Sequence, residues 1–209
     1  VLAMASYEKG KSAKNLSTNA LFPAASLFKI VSAAAAMEKA GYTPDSPVYF
    51  VGGKHTLYRR QLTKGKGRYT RKTTLRRAFA SSINPVFGKL GIYDLGAKAI
   101  SEYAEKFLFN RTIPFDLPVV QSTVQVPRDL FGLAEVSSGF NRKTLISPLH
   151  AALLACVAAN SGIIMVPRLI DRIEDESGKV LYESQPAMLS WAVSRGTSRG
   201  LRVLMRDTV

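Results

Sequence analysis

The stretch FPAASLFKIVSAAAAMEKAG, residues 22–41, decides the fold. After Pro23 its apolar residues recur at helical spacing, and Gly41 supplies a stop. The remaining faces of this helix are rich in alanine, and a helix that is apolar on nearly all sides is normally buried. The sequence therefore predicts a buried helix over residues 26–40, with Ser26 in its first turn.

Ser26 and Lys29 share one face of this helix because they lie three residues apart. Serine is a weak nucleophile unless a base takes its proton, and burial lowers the pKa of a lysine so that it can act as that base. The positive end of the helix would favour negative charge at the reacting centre. The same S-x-x-K spacing recurs at Ser6 and Lys9, where a strand or turn would bring nothing together. It is also typical of a helix cap followed by a surface lysine, so the spacing alone leaves both interpretations open.

A second polar element, Ser82-Ile83-Asn84, lies between two helical segments and is followed by Pro85. A serine hydroxyl can relay a proton, and an asparagine amide can hold a peptide-like substrate by its carbonyl and N–H groups. A similar S-x-N pattern occurs at residues 17–19, in a polar connector. Taken alone, either pattern is typical of a loop as much as of an active site.

Two stretches resemble sequence motifs of penicillin-binding proteins. Residues 22–29, FPAASLFK, resemble the first motif of that family, and residues 80–87, ASSINPVF, resemble the second. Ile83 stands where the S-D-N form of the second motif has aspartate. Residues 146–152 and 159–162 resemble the capped helix that follows the catalytic region, and the resemblance covers nearly the whole chain.

The resemblance implies a serine acyltransferase that acts on the D-Ala-D-Ala end of peptidoglycan stem peptides. Ser26 would form the acyl-enzyme, Lys29 would be its base, and Ser82 and Asn84 would transfer protons and position the substrate. An amine from a neighbouring stem peptide would resolve the acyl-enzyme, and β-lactam antibiotics would acylate the same serine. We expect no cofactor and no metal.

For the fold, the resemblance implies an α/β protein of the α+β type. A mainly antiparallel sheet would be covered by helices, with a helical lobe that carries Ser82 and Asn84. Residues 1–209 would form a single transpeptidase-like domain. The short apolar run Val1 to Ser6 predicts a strand, and the last helix, which starts near residues 194–198, is expected to be still running at Val209. Thr73 or Thr74 is expected to cap a helix that runs to about Ala80, and Ser147 to cap another that runs to about Asn160. Gly139 is expected to end a short helix over residues 130–138, and residues 175–179 are expected to form a hairpin turn.

The third motif of the family, K-T-G, is absent from this sequence. Residues 72–74, KTT, and 143–145, KTL, do not supply it. In the family this motif lies on a strand beyond the final helix seen here, where it lines the pocket. We therefore expect the chain to be a fragment that lacks its C-terminal strands, and the alternative is a non-catalytic scaffolding or binding module with the same fold.

The chain is strongly basic, with a formal net charge of +14. Residues 54–77 hold ten lysines and arginines and no acidic residue, with two tyrosines interleaved. Such a stretch can bind nucleic acid, but no nucleic-acid motif accompanies it, so nucleic acid is not the expected partner. Anionic wall polymer or lipid headgroups fit the charge and the family resemblance better.

The same resemblance predicts a location outside the cytoplasm, in the cell envelope. No apolar run approaches the roughly 20 residues of a membrane-spanning helix, so any anchor is expected in a segment that is not in this chain. Cys156 lies in an apolar run and is expected to be a small core residue. His55 and His150 lack metal-ligand spacing and are expected to be structural.

Overall fold

The computed structural model describes residues 1–7, 9, 15–65 and 67–208. Helices and short strands alternate along this part of the chain, so the mixed α/β class expected from the sequence is confirmed. The helices are α1 Phe28–Ala40, α2 Leu75–Ala80, α3 Asn84–Lys89, α4 Gly96–Lys106, α5 Leu130–Ser138, α6 Pro148–Ala159 and α7 Arg195–Arg206. The strands are β1 Phe22–Pro23, β2 Pro47–Phe50, β3 Arg71–Thr74, β4 Leu145–Ile146, β5 Ile163–Met165, β6 Arg172–Glu174, β7 Val180–Glu183 and β8 Met188–Trp191.

The strands pair antiparallel, as expected, in the combinations β1–β4, β2–β3, β5–β8 and β6–β7. The β6–β7 pair is the hairpin predicted around residues 175–179, where the Asp175 carboxylate accepts from the backbone N–H groups of Ser177 and Lys179. Strands β1 and β4 pair although more than half of the chain separates them in sequence. This long-range pair fixes the segment that leads into α1.

Helix α1 is the central helix of the described structure. Its residues from Phe28 to Ala36 are buried, and α3, α4, α5 and α7 all pack against it. Its small alanine side chains let these neighbours approach closely, which is why a helix without a polar face is stable here. The buried helix predicted from the sequence is confirmed, but it begins at Phe28. Ser26 lies in the short 3-10 turn Ala25–Leu27 that runs directly into it.

Helix caps follow the sequence signals. The Thr74 hydroxyl accepts from the N–H of Arg77 at the start of α2, and the Ser147 hydroxyl accepts from the N–H of His150 at the start of α6. Each bond satisfies one of the N–H groups that a helix start leaves without a partner. The predicted starts of both helices are confirmed.

Two predictions at the ends of the chain are wrong. Residues 1–7 form no strand, because no other strand lies alongside them; the amine of Val1 instead donates to the carbonyl of Arg168, at 2.6 Å. Helix α7 does not run on to the end of the described chain but stops at Arg206. There the Thr208 hydroxyl donates to the carbonyl of Met205, at 2.6 Å, and satisfies a carbonyl that a longer helix would have used.

Cys156 is exposed, so its prediction as a core residue is wrong. Helix α6 is apolar all round, but one of its sides faces an open groove of about 760 Å³ rather than the core.

His150, on the same helix, is buried and donates from Nε2 to the carbonyl of Phe107, at 2.6 Å. Burial lowers the pKa of His150 to about 4.

None of the described helices has the length and apolar character needed to cross a membrane.

Candidate active site

The β1–β4 pair holds the residues just before Ser26. The N–H of Ala24 donates to the carbonyl of Thr144, at 2.8 Å, and extends this pairing by one residue. Ala25 then adopts a φ of 45°, in the left-handed region that non-glycine residues rarely enter. The chain turns sharply at this point, and Ser26 is presented at the start of the helical segment. Strained backbone of this kind is frequent where a reactive side chain has to be projected into a pocket.

Lys29 is almost completely buried beneath Ser26, with 1% of its surface exposed. Its Nζ lies 3.0 Å from Ser26 Oγ, 2.8 Å from Asn84 Oδ1 and 2.5 Å from the carbonyl oxygen of Ser138. Burial lowers the pKa of Lys29 to about 7, because a charged ammonium loses its hydration there. A lysine in this state can exchange a proton at neutral pH.

The three neighbours of the amine fit either protonation state of Lys29. A neutral amine has two hydrogens and one lone pair, whereas an ammonium has three hydrogens. Asn84 Oδ1 and the Ser138 carbonyl can only accept, so they take two hydrogens in either state. In the ammonium form the third hydrogen goes to Ser26 Oγ, and in the neutral form the lone pair is left for Ser26, whose hydroxyl can donate to it. This arrangement orients the amine as an acceptor for the Ser26 proton.

Ser82 contacts Ser26 from the end of helix α2, with its Oγ 2.7 Å from Ser26 Oγ. The N–H of Ile83 donates to Ala78, at 2.8 Å, and the N–H of Ser82 donates to Phe79, at 2.9 Å. These two bonds are the Schellman pattern that closes a helix end. Ser82 occupies its left-handed position, with a φ of 48°, where glycine is usual. The helix end therefore places the Ser82 hydroxyl, at some backbone strain.

Asn84 follows two residues later, as the first residue of α3. Its N–H donates to the carbonyl of Lys54, at 2.7 Å, and its side chain is buried against Lys29. Pro85 occupies the first turn of α3, where its missing N–H costs nothing. The structure thus brings together the four residues singled out from the sequence: Ser26, Lys29, Ser82 and Asn84.

Helix α5 contributes a part of the site that the sequence did not reveal. Its end shows the same Schellman pattern, since the N–H of Gly139 donates to Val136, at 3.0 Å, and that of Phe140 to Glu135, at 2.8 Å. The sequence predicted Gly139 only as a helix stop. In the structure, the ends of α2 and α5 converge on the same serine.

Two carbonyl groups in the last turn of α5 accept from side chains of α1. Lys29 donates to the carbonyl of Ser138, and Ser32 Oγ donates to that of Ser137, at 2.7 Å. Lys29 and Ser32 are one helical turn apart, so they meet consecutive carbonyls. The end of a helix leaves such carbonyls without partners, and these two bonds satisfy them while fixing α5 against α1.

Gly139 lies directly behind the backbone of Ala25 and Ser26. Its φ is +67°, and a Cβ built on it would lie 1.8 Å from the carbonyl oxygen of Ala25 and 3.2 Å from the amide nitrogen of Ser26. A side chain at this position would therefore push the turn that carries Ser26. The sequence indicated Gly139 only as the end of a helix. It could not show the contact between Gly139 and the Ala25 backbone, because more than a hundred residues separate the two in the chain.

A cavity of about 520 Å³ opens above these groups. It is lined by residues of the β1–α1 turn, of α2 with its following turn, and of the end of α7: Pro23, Ala24, Ala25, Ser26, Leu27, Lys29, Ile30, Phe79, Ala80, Ser82, Met205 and Thr208. The lining is mostly apolar, with the serine and lysine groups gathered at one place, as in sites that bind a small molecule or a peptide end. We call this cavity the serine cavity. Among the described residues, no cluster of histidine, cysteine, aspartate or glutamate is arranged to hold a metal ion.

The profile of the penicillin binding protein transpeptidase domain matches residues 1–209, the whole chain. The chain belongs to this family. The family expected from the two sequence motifs is confirmed.

Two relatives show how far the sequence of this chain has diverged from those of other family members. Stage V sporulation protein D of Bacillus subtilis is 22% identical over 198 residues, which are 94% of this chain and 30% of that protein. Peptidoglycan D,D-transpeptidase PbpA of Mycolicibacterium smegmatis is 30% identical over 133 residues, 63% of this chain and 27% of that protein. The chain thus spans about a third of the length of these relatives.

Solved structures agree with the fold. The crystal structure of PBPA from Mycobacterium tuberculosis matches with a TM-score of 0.79 at 26% identity, over 93% of this chain and 45% of that one. The D,D-transpeptidase domain of a peptidoglycan glycosyltransferase from Eggerthella lenta matches with a TM-score of 0.76 at 27% identity, over 94% and 50% of the two chains. Penicillin-binding protein A from M. tuberculosis has also been solved as a penicillin G acyl-enzyme complex, with a TM-score of 0.78 at 28% identity, over 93% of this chain and 45% of that chain.

Neither K-T sequence of this transpeptidase domain reaches the serine cavity. Lys72 and Thr73 lie on β3 and line a different cavity, and Lys143 is exposed in the turn before β4. This placement agrees with the sequence, in which neither segment completes a K-T-G motif.

Proposed function

We propose that the protein is a peptidoglycan D,D-transpeptidase that works through a serine acyl-enzyme and is inactivated by β-lactam antibiotics. One observation carries this proposal: the buried amine of Lys29 lies 3.0 Å from Ser26 Oγ while its other contacts are acceptors only. Membership of the transpeptidase family and the solved acyl-enzyme complex of a relative support it. The substrates are peptidoglycan stem peptides that end in D-Ala-D-Ala.

In the first half-reaction, Ser26 Oγ attacks the carbonyl carbon of the penultimate D-alanine and transfers its proton to the neutral amine of Lys29. The C–N bond of the terminal D-alanine breaks, and the leaving amine needs a proton. Ser82 lies 2.7 Å from Ser26 Oγ, so its hydroxyl can pass a proton from Lys29 to that amine. An ester on Ser26 and free D-alanine result.

In the second half-reaction, an amine of a neighbouring stem peptide attacks the ester carbonyl. The proton lost by this amine returns to Ser26 by the same groups in reverse, and a new peptide bond forms. Asn84 serves by holding Lys29 through Oδ1, and its side-chain amide is of the kind that can donate to a peptide carbonyl. With penicillin, the lactam C–N bond takes the place of the terminal peptide bond.

The second candidate function is a non-catalytic scaffolding or binding module that keeps the fold. A natural chain that continues beyond Val209 without a K-T-G sequence would favour this alternative. We favour catalysis because a scaffold has no need for a buried, deprotonatable lysine, which lowers the stability of the folded state.

The setting that we propose is the cell envelope, outside the cytoplasm, because one relative is named a peptidoglycan D,D-transpeptidase. We further propose an anchor in a segment outside residues 1–209, and anionic wall polymer or lipid headgroups next to the basic surface. Residues 1–209 would be one part of a transpeptidase domain whose remaining strands supply the third motif. The coding sequence after Val209 tests this last point directly.

The decisive experiment is intact-mass spectrometry of the natural protein that contains these residues, after brief exposure to penicillin G. We expect one covalent adduct, located on the Ser26 peptide, and none in the Ser26→Ala variant. Ser6→Ala is the matched control, since Ser6 has the same S-x-x-K spacing but contacts Ser17, at 3.0 Å, outside the site. An unlabelled but folded protein would favour the scaffolding module, and normal labelling of Ser26→Ala would contradict the assignment of the nucleophile.

A further inference from the structure

A second cavity, of about 500 Å³, lies beside the serine cavity. Ala80 lines both cavities, Ser81 lines the second and Ser82 the first. The residues that follow α7 are divided in the same way, with Asp207 in the second cavity and Thr208 in the first. A group bound in the second cavity would therefore lie against the same helix end that carries Ser82.

Four exposed cationic side chains line this second cavity: Lys54, Arg71, Lys72 and Arg77. We call it the basic cavity. The β2–β3 pair and helix α2 bring these four side chains together from different parts of the basic sequence stretch. Their convergence on one recess distinguishes them from cations spread over a solvated face.

Two of the cations are held in place by contacts within the protein. The guanidinium of Arg71 lies over the ring of Phe50, 4.3 Å from its centroid, and donates to the carbonyl of Gly52. The amine of Lys54 lies 3.4 Å from Ser81 Oγ, at the rim that faces the serine cavity. Cations that are ordered before a ligand arrives lose less conformational entropy on binding it.

Among the described residues, no carboxylate is paired with the cations of the basic cavity. Asp207 lines the cavity, but its Oδ2 is 3.3 Å from Nε of Arg76, which also contacts Asp45 at 3.3 Å. Among residues 1–7, 9, 15–65 and 67–208, none of the four cations of the cavity forms an ion pair. Four like charges around one recess repel each other unless an anion is bound between them.

We propose that the basic cavity binds a phosphate group of an anionic polymer of the cell envelope. Guanidinium groups bind phosphate through paired hydrogen bonds, and lysines add charge without a fixed geometry. A lipid bilayer is a poorer fit, because its phosphates lie in a plane and this cavity is recessed.

The cell-envelope source of the polymer rests on the proposed function, but the binding itself does not. A phosphate polymer held beside Ser82 would keep the transpeptidase site close to the wall in which its substrates lie. Penicillin labelling reports on Ser26, whereas polymer binding needs no acylation. The two proposals can therefore fail separately.

The test is isothermal titration of the protein with a short linear polyphosphate at physiological ionic strength, in comparison with polyglutamate of equal charge. In the test variant the four cations of the basic cavity are replaced by glutamine. The control variant loses the same charge elsewhere, at four exposed positions: Lys98, Arg142, Lys143 and Arg199. Lys72→Glu, a single change on a strand surface, is a second test variant whose folding is least at risk.

We expect the quadruple cavity variant to bind polyphosphate at least about tenfold more weakly than the wild type, and Lys72→Glu several-fold more weakly. The control variant should change the affinity by less than about threefold, since it affects only long-range attraction. Equal losses in both quadruple variants would overturn the proposal, as would equal affinity for polyglutamate. Co-sedimentation with phosphatidylglycerol vesicles covers the lipid source, and binding to these vesicles in place of polyphosphate would also overturn it.

Discussion

The substitution Gly139→Ala tests most directly whether helix α5 fixes the position of Ser26, because it places a single methyl group behind the turn that carries Ser26. Gly139 ends helix α5 with a φ of +67°, and its Cα faces the peptide between Ala25 and Ser26. The substitution adds no charge and removes no hydrogen bond. Any effect on acylation must therefore come through the position of the Ser26 turn.

The expected magnitude follows from two terms. The left-handed conformation disfavours alanine relative to glycine by about 1 kcal/mol. The new Cβ would also lie 1.8 Å from the Ala25 carbonyl oxygen and 2.5 Å from the Ala25 carbonyl carbon, so backbone has to move by more than an ångström. Overpacking of this kind costs about 1–3 kcal/mol, and a displacement of about 1 Å at a reacting group can slow a reaction by about a hundredfold.

Gly41→Ala is a matched control for the conformational term. Gly41 ends helix α1 with a φ of +66°, but a Cβ there would meet nothing within 4 Å. We expect Gly41→Ala to lower the free energy of unfolding by about 1 kcal/mol and to leave the rate of penicillin labelling unchanged. Gly139→Ala should lower the free energy of unfolding further and slow labelling by about a hundredfold.

The assays are urea denaturation for stability and the rate of labelling by a fluorescent penicillin for the site. If Gly139→Ala is folded and labelled at the wild-type rate, the turn that carries Ser26 is not fixed by α5, and the reasoning from the structure is refuted. If both variants slow labelling equally, the effect belongs to stability rather than to the position of Ser26.

Two further predictions concern groups that contact Ser26. Because burial lowers the pKa of Lys29 to about 7, and the neutral amine is the active form, the labelling rate should fall about tenfold per pH unit below 7 and level off above it. A flat rate between about pH 5 and pH 9 would contradict this role of Lys29, and His55→Gln should keep the wild-type profile. Ser82→Gly should raise the free energy of unfolding by about 1 kcal/mol, because Ser82 has a φ of 48°, while slowing labelling through loss of the hydroxyl. If this variant is labelled at the wild-type rate in the same assay, the Ser82 hydroxyl does not transfer a proton during acylation.

Much of the local structure could be read from the sequence. The spacing of apolar residues after Pro23 predicted the buried helix, and Gly139 predicted a helix end. Ser147 predicted one helix start and the pair Thr73 and Thr74 another, of which the structure uses Thr74. Two short motifs singled out the four polar residues that the structure brings together. Their catalytic roles stay a proposal.

Other features could not be read locally. The first apolar run of the chain has the pattern of a strand, but a strand also needs a partner alongside it. Cys156 sits in a helix that is apolar all round, and the sequence could not say which side of that helix faces an open groove. The carbonyl of Ser138, which completes the surroundings of Lys29, leaves no trace in the side-chain pattern at all.

The sequence by itself determined most of the helices and their caps and singled out the candidate reactive groups, because these depend on hydrogen bonds, periodicities and motifs within about four residues. Only the tertiary structure decided that the ends of α2 and α5 meet at one serine and that Lys29 is buried there. The contacts from Lys29 to Asn84 and to Ser138 cross 55 and 109 residues of chain. Packing around α1 sets such contacts, and the same packing removes water from Lys29 and lowers its pKa.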